Sequence, residues 1–173
     1  MRTDNESQIE GSVPKELFFL LIKIVIIVMI AILLFTFIFG VHRNVGASMN
    51  PAVKDADMVL FYRLDKEYVA KDILILQFEG EQQACRVVAT AGDTIDITEE
   101  GLVINGAVQQ EEYGIPKTTR YEDGVDFPLT VGEGEVFVLA DNRVNATDSR
   151  IYGAVSIKDT LGKAIIILRK RDL

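Results

Sequence analysis

The pattern of apolar and polar residues divides the chain into one long apolar run near its start and a remainder with the short alternations typical of β-strands. Residues 17–40 read LFFLLIKIVIIVMIAILLFTFIFG and are apolar apart from Lys23 and Thr36. At about 1.5 Å rise per residue, a helix of this length can cross a hydrocarbon core of roughly 30 Å. A lysine near one end can extend back to the headgroups. The run therefore predicts a transmembrane anchor.

A cleaved signal peptide is the alternative interpretation of this run. Its apolar stretch is much longer than the ~7–15 residues of a signal-peptide core, and no Ala-x-Ala site follows it closely, which favours a retained anchor. Basic residues lie on both sides of the apolar run, so the distribution of positive charge gives only a slight indication of its orientation in the membrane. We expect residues 1–16 to be a loose N-terminal tail and residues 41–173 to be one extracytoplasmic domain on a single-pass protein of the cell membrane.

The chain beyond residue 40 carries the patterns of β-strands. Residues 94–98 read TIDIT and alternate with period two, as a half-buried strand does. Residues 105–106, Asn-Gly, are a strong signal for a two-residue hairpin turn. Further strands are predicted at residues 58–62, 73–78, 84–90, 102–104, 107–108, 135–139 and 164–168. Residues 40–52 and 113–128 contain glycine and proline and are predicted to be irregular loops, so the domain is expected to be mainly β.

Composition and charge narrow the classes of function. The net charge of −8 disfavours a nucleic-acid partner, because phosphate binding needs a basic surface. Cys85 is the single cysteine, and no His, Cys, Asp or Glu cluster has metal-ligand spacing, so neither a metal nor a cofactor is expected. The only histidine, His42, follows the anchor directly. The basic residues 169–171 predict either contact with lipid headgroups or a solvated tail.

Three short segments carry candidate chemistry. Residues 47–51 read ASMNP, residues 86–93 read RVVATAGD, and residues 141–153 contain Asp-Asn-Arg, then Asp-Ser-Arg and a glycine. In order and spacing they resemble the Ser-Met-x-Pro, Arg-Val-x-Gly-x-Pro-Gly-Asp and Asp-Asn-Arg … Asp-Ser-Arg … Gly boxes of type I signal peptidases. Residues 101–106, GLVING, look like the hairpin of the same fold. The resemblance covers nearly the whole chain from the anchor onward.

The resemblance implies a signal peptidase-like β fold against the outer face of a membrane, with a groove for an extended segment of a secreted precursor. In working members a serine is the nucleophile, and a lysine with a desolvated amine removes its proton. Ser48 occupies the nucleophile position here, and Ser48 and Met49 are expected to contact the bound segment. Cys85 stands at the position of the lysine, and its shorter thiol cannot act as an amine base. Ala146 replaces the serine that usually orients the lysine.

The carboxylates and arginines of the last box allow two interpretations. They are either general acid–base groups or structural ion pairs around a turn, and their alternation favours ion pairs. The four charged residues are Asp141, Arg143, Asp148 and Arg150. Asn142 and Ser149 are expected to satisfy backbone groups in the same turn.

The combined changes at the base and its supporting hydroxyl favour a pseudoenzyme that binds precursors as an accessory protein or chaperone. Relatives with an altered catalytic pair are associated with sortase-assembled pili of Gram-positive bacteria, so the resemblance implies a pilin precursor, sortase or other pilus assembly proteins, and membrane lipid as partners. The alternative is an active signal peptidase that uses Ser48 with an atypical base, for which Lys54, Lys71 and His42 are candidates. A third hypothesis is an anchored β domain with an unrelated adaptor role.

Overall fold

The computed structural model describes residues 13–144 and 146–170, so most of the predicted tail and the basic residue at 171 lie outside the described residues. Helix α1 spans Val13–Ile38. Its part from Lys15 to Ile38 is long and apolar enough to cross a membrane, judged by length and composition. The described chain divides after Ile38 into this helix and a β domain. The domain boundaries given above for the tail and the anchor stay predictions.

The β domain contains eleven strands among the described residues, arranged in two antiparallel sheets, which confirms a mainly β fold. The larger sheet has the order β1-β2-β11-β3-β4-β9-β10, and the smaller one has the order β7-β6-β5-β8. A four-residue helix, α2, spans Ser149–Tyr152, and a 3-10 turn spans Ile157–Asp159. The strands are β1 Phe39–Arg43, β2 Met58–Tyr62, β3 Ile73–Phe78, β4 Glu81–Thr90, β5 Thr94–Thr98, β6 Gly101–Ile104, β7 Ala107–Val108, β8 Leu129–Thr130, β9 Glu135–Leu139, β10 Val155–Ser156 and β11 Thr160–Leu168.

The prediction of an irregular loop at residues 40–52 is wrong at its start. Strand β1 continues directly from α1 and pairs with β2 from Phe39 to Arg43. Gly40 permits this pairing, because a Cβ atom there would lie 2.2 Å from the ring of Phe61. The prediction for residues 113–128 is confirmed, since no helix or strand of the described chain falls in that range. Strands β4 and β11 begin three and four residues earlier than predicted, and β8, β10 and α2 were not predicted.

The first half of β4, residues 81–85, pairs with a neighbouring strand on one side only. It forms a hairpin with β3 through the tight turn at Glu79 and Gly80, with pairing from Phe78↔Glu81 onward. Strand β9 pairs with β4 only from Arg86 to Thr90. Within the described residues, the second side of residues 81–85 is therefore unpaired. We call residues 81–85 the open edge of β4.

Two clusters of the hydrophobic core lie on opposite faces of β4, because successive residues of a strand point to opposite sides. Ala84 packs in one cluster with Met49 and Ala140. Cys85 packs in the other with Leu74, Val138 and their neighbours. These two clusters position the segments that carry the candidate site.

Candidate active site

The loop that carries Ser48 joins β1 to β2 and is fixed to the turn that follows β9. The backbone N–H of Asn142 donates to the carbonyl of Ser48 over 2.8 Å, and Asn142 Nδ2 donates to the carbonyl of Ala47 over 3.2 Å. Asn142 therefore bonds to the serine loop rather than to its own turn. Met49 is fully buried, so its contact with a bound segment stays a prediction. Ser48 itself is half-buried, and its hydroxyl has no hydrogen bond to any described residue.

Cys85 lies on β4 as a buried, neutral side chain. It is 1% exposed, as expected for a free cysteine that packs like a small hydrophobic residue. Burial raises the pKa of its thiol far above the ordinary range, and the carboxylate of Asp148 raises it further. A thiol that stays protonated at every physiological pH cannot accept a proton from a serine. The position at which the resemblance predicts a lysine base therefore holds a side chain that is no base.

Ala146 stands where the resemblance predicts a supporting serine. It packs partly buried against the cluster that contains Met49. Its carbonyl accepts a hydrogen bond from the hydroxyl of Tyr121 over 3.1 Å, and its N–H donates to the same oxygen over 3.3 Å. The backbone at this position is thus held in place, while the side chain offers no hydroxyl to a neighbouring amine.

The three candidate substitute bases lie in three different segments of the β domain. Lys71 forms an exposed ion pair with Glu112, 3.3 Å between Nζ and Oε1. His42 is buried in β1 near Gln82, and burial lowers the pKa of its imidazole. Lys54 lies in the same loop as Ser48 and is exposed. Within the described part of the chain, none of these three is hydrogen-bonded to Ser48.

Asp141 connects the last box to β4. Both carboxylate oxygens of Asp141 accept hydrogen bonds from Arg86, each over 2.6 Å, and the two side chains are 1% and 13% exposed. The partner of Asp141 is therefore an arginine 55 residues earlier in the chain, not one in its own turn. Arg86 directly follows Cys85, so this pair joins the segment of Cys85 in β4 to the turn that follows β9.

The remaining charged residues of the box form further pairs. Asp148 caps α2 and accepts hydrogen bonds from the guanidinium of Arg150 over 2.9 and 2.8 Å, with both side chains fully buried. Arg143 pairs with Glu111 over 2.9 Å. Ser149 accepts a hydrogen bond from the backbone N–H of Val138 over 3.0 Å. Asp148 and Glu111 are thus each held by an arginine, as the interpretation of ion pairs expects.

Sequence reasoning missed several residues that complete the site. Tyr121 supports Ala146, and its ring lies 4.4 Å from the guanidinium carbon of Arg150. Gln83 donates from Nε2 to the hydroxyl of Tyr152 over 2.9 Å, beside Cys85. The contacts of Tyr121 and Tyr152 join residues far apart in the chain, so no local pattern signals them. Among the described residues, no group of three or more His, Cys, Asp or Glu side chains is placed to hold a metal ion.

Comparison with known proteins identifies the family to which the chain belongs. The family described as signal peptidase, peptidase S26, matches residues 17–169. Signal peptidase I of Bacillus amyloliquefaciens is 32% identical over 137 residues, which cover 73% of this chain and 74% of that protein. Signal peptidase I S of Bacillus subtilis (strain 168) is 32% identical over 138 residues, with the same two coverages. The chain belongs to the type I signal peptidase family.

A solved structure shows a further likeness. The crystal structure of a signal peptidase I from Enterococcus faecalis V583 aligns with a TM-score of 0.46 at 28% sequence identity. The alignment covers 56% of this chain and 96% of that chain.

The state of the Cys85 thiol can be measured by alkylation with iodoacetamide. We expect the folded protein to react at least about 100-fold more slowly at pH 8 than the same protein in denaturant, because the raised pKa leaves almost no thiolate and burial blocks access. The rate in the folded state should keep rising up to pH 10 without a plateau. A fast reaction that levels off near pH 8 would show an activated thiolate and contradict this description.

Proposed function

We propose that this protein is a membrane-anchored accessory protein of the signal peptidase family that binds an extended segment of a secreted precursor without cleaving it efficiently. Its β domain is extracytoplasmic, and the bound segment belongs to a pilin precursor or to another secreted polypeptide. The observation that carries the proposal is the absence of a base at the described site, where Ser48 remains and Cys85 is buried and protonated.

The chemistry of serine explains why this observation matters. A serine hydroxyl is a weak nucleophile until a neighbouring base removes its proton. General-base catalysis typically contributes a factor of about 10²–10⁴ to the rate, and its loss reduces turnover by that amount. Ala146 also lacks the hydroxyl that would orient an amine. Cleavage therefore loses two contributions at once, while nothing in these two changes prevents binding.

The open edge of β4 supplies a means of binding that needs no base. Val87 exchanges backbone hydrogen bonds with residues 71 and 72, on the side of β4 that faces β3. Because backbone groups alternate along a strand, the N–H and C=O groups of Gln82 and Ala84 point to the unpaired side. An extended polypeptide can add there as a further strand, with its main chain supplying the hydrogen bonds.

The choice of a pilin precursor rests on the resemblance rather than on the geometry. Relatives with an altered catalytic pair are associated with sortase-assembled pili, and this chain carries such a pair in Ser48 and Cys85. A protein that holds the precursor at the membrane would act beside sortase and other pilus assembly proteins. The chain's own contribution to this role is the strand edge, which recognises main chain rather than a cleavage site.

Binding without cleavage can be tested with the full-length protein in lipid nanodiscs. The probe is a fluorescent peptide that spans the cleavage region of a secreted precursor, with small residues at −1 and −3. We expect saturable binding with no product, and Ser48→Ala should leave the dissociation constant unchanged, because the hydroxyl contributes no main-chain pairing. Cleavage by the unmodified protein that disappears in Ser48→Ala would overturn the proposal.

Two variants of Gln82 test whether the peptide binds at the open edge of β4. Gln82→Pro removes an outward N–H without touching the ladder to β3, and should weaken peptide binding about fivefold, the effect of one hydrogen bond of about 1 kcal/mol. Gln82→Ala keeps the N–H and should bind as the parent does. Equal binding by Gln82→Pro and Gln82→Ala would place the peptide elsewhere.

A second candidate function is that of an active signal peptidase. It is favoured by the retained Ser48 and by the relatives of the chain, which are named signal peptidases. The double variant Cys85→Lys, Ala146→Ser separates this function from the first. We expect the variant to cleave the precursor peptide about 10²-fold or more faster than the parent, since it regains a general base. Cleavage should rise with pH as the desolvated lysine loses its proton, and adding Ser48→Ala should abolish it. An unmodified protein that already cleaves as fast as the double variant would favour the second function.

The role in pilus assembly predicts a phenotype in the source bacterium. Deletion of the gene should abolish or strongly reduce the ladder of pilin polymers on an immunoblot of cell-wall extract. A copy with Ser48→Ala should restore the ladder as well as the unmodified copy, because the proposed role needs no nucleophile. Normal polymerisation in the deletion strain would count against the pilus role and leave peptide binding to be judged separately.

A further inference from the structure

Gln83 and Tyr152 form a polar pair on one face of β4, beside its open edge. Gln83 Nε2 donates to the Tyr152 hydroxyl over 2.9 Å, and both side chains are half-buried. Tyr152 is the last residue of α2, and its ring stacks against Phe78 at a centroid distance of 4.3 Å. It also packs against the core cluster of Cys85. The ring contact, the cluster and the hydrogen bond together hold the pair in place.

This pair has hydrogen-bonding capacity that the described chain does not use. The amide oxygen of Gln83 accepts no hydrogen bond from a described residue. The Tyr152 hydroxyl accepts from Gln83 and faces the thiol of Cys85, which is only a weak partner. Burial raises the pKa of Tyr152, so its hydroxyl stays protonated and uncharged. An unused acceptor and a neutral hydroxyl thus lie together in a half-buried position.

The geometry of strand pairing brings a ligand side chain to this pair. When a segment adds to the open edge, the residue directly opposite Gln83 projects its side chain on the same face as Gln83, with Cβ atoms about 4.5–5.5 Å apart. That face also carries Cys85 and Tyr152, since they share one core cluster. An aliphatic side chain there would bury the amide oxygen of Gln83 without a partner, which is unfavourable. A carboxylate would approach Asp148, whose charge already acts on Cys85 and Tyr152.

We propose that the open edge of β4 selects a segment with a side-chain hydrogen-bond donor, such as a hydroxyl or carboxamide, opposite Gln83. This inference rests on the proposed function, because it assumes that an extended segment adds to that edge. Gln83 and Tyr152 then discriminate among precursors by their side chains, which main-chain hydrogen bonds alone cannot do. Such a preference differs from a selection for small apolar residues and identifies the class of segment that this protein holds.

Threonine and valine have nearly the same shape, so their exchange isolates the hydrogen bond. The probe is a set of fluorescent decapeptides of alternating valine and alanine with terminal lysines, in which each valine in turn is replaced by threonine. Binding is measured to the full-length protein in nanodiscs. We expect one position at which threonine binds about fivefold more tightly than valine, the effect of one net hydrogen bond. Replacing the same residue by aspartate should weaken binding.

The variants assign this preference to its residues. Tyr152→Phe keeps the ring against Phe78, and Gln83→Met keeps the length of the side chain, so each removes polarity with little loss of volume. In both, the threonine preference should fall below about twofold. Gln77→Met, at an exposed glutamine on β3 outside the open edge, is the matched control and should retain it. Thermal unfolding of each variant checks that the fold is preserved.

The outcomes separate this inference from the proposed function. If the peptides bind but no position prefers threonine, or if the preference persists in Tyr152→Phe and Gln83→Met, the inference is overturned and the proposed function stands. If the precursor peptide binds but no decapeptide binds or competes with it, the inference is again overturned and the proposed function stands. If neither the precursor peptide nor any decapeptide binds, the proposed function fails and the inference fails with it.

Discussion

The ion pair between Arg86 and Asp141 is the interaction on which the site depends. Strands β4 and β9 stop pairing at Arg86 and Leu139, and two residues later Asp141 accepts two hydrogen bonds from the same Arg86. Asn142 follows at once and fixes the loop of Ser48 through its backbone and its side chain. Loss of one partner from such a buried pair typically costs about 3–5 kcal/mol, because the other charge remains without compensation. One contact thus sets the relative positions of β4, the turn and the serine loop.

This arrangement separates the framework of the site from its chemistry. Arg86, Asp141 and Asn142 define where Ser48 lies, and none of the three removes its proton. Proton removal would depend on the side chain at position 85, which here is a buried thiol with a raised pKa. A strand edge recognises main-chain groups and is unaffected by which residue fills that position. The contacts that position Ser48 therefore do not involve the side chain at position 85.

The sequence predicts the strands of this protein better than it predicts the contacts of the site. Periodicity and turn residues locate β2, β3, β5, β7 and β9 to the residue, because each is short and bounded by turn residues. The same patterns do not reveal strand β1, because it continues an apolar helix without a break and contains Gly40. The partners of Asp141 and Ala146, which are Arg86 and Tyr121, lie 55 and 25 residues away. Only the folded chain brings these pairs together.

A second buried ion pair lies in the turn that follows β9. Asp148 and Arg150 are fully buried, and Arg150 also donates to the carbonyls of Thr119 and Arg143 over 3.2 and 2.8 Å. Burying such a pair brings little net stability, while its hydrogen bonds hold the turn in one geometry. That geometry ties the turn to the long loop at residues 109–128, whose Tyr121 holds the backbone at Ala146. Both contacts of Tyr121 are to backbone atoms of Ala146, so they hold this position whether or not its side chain carries a hydroxyl.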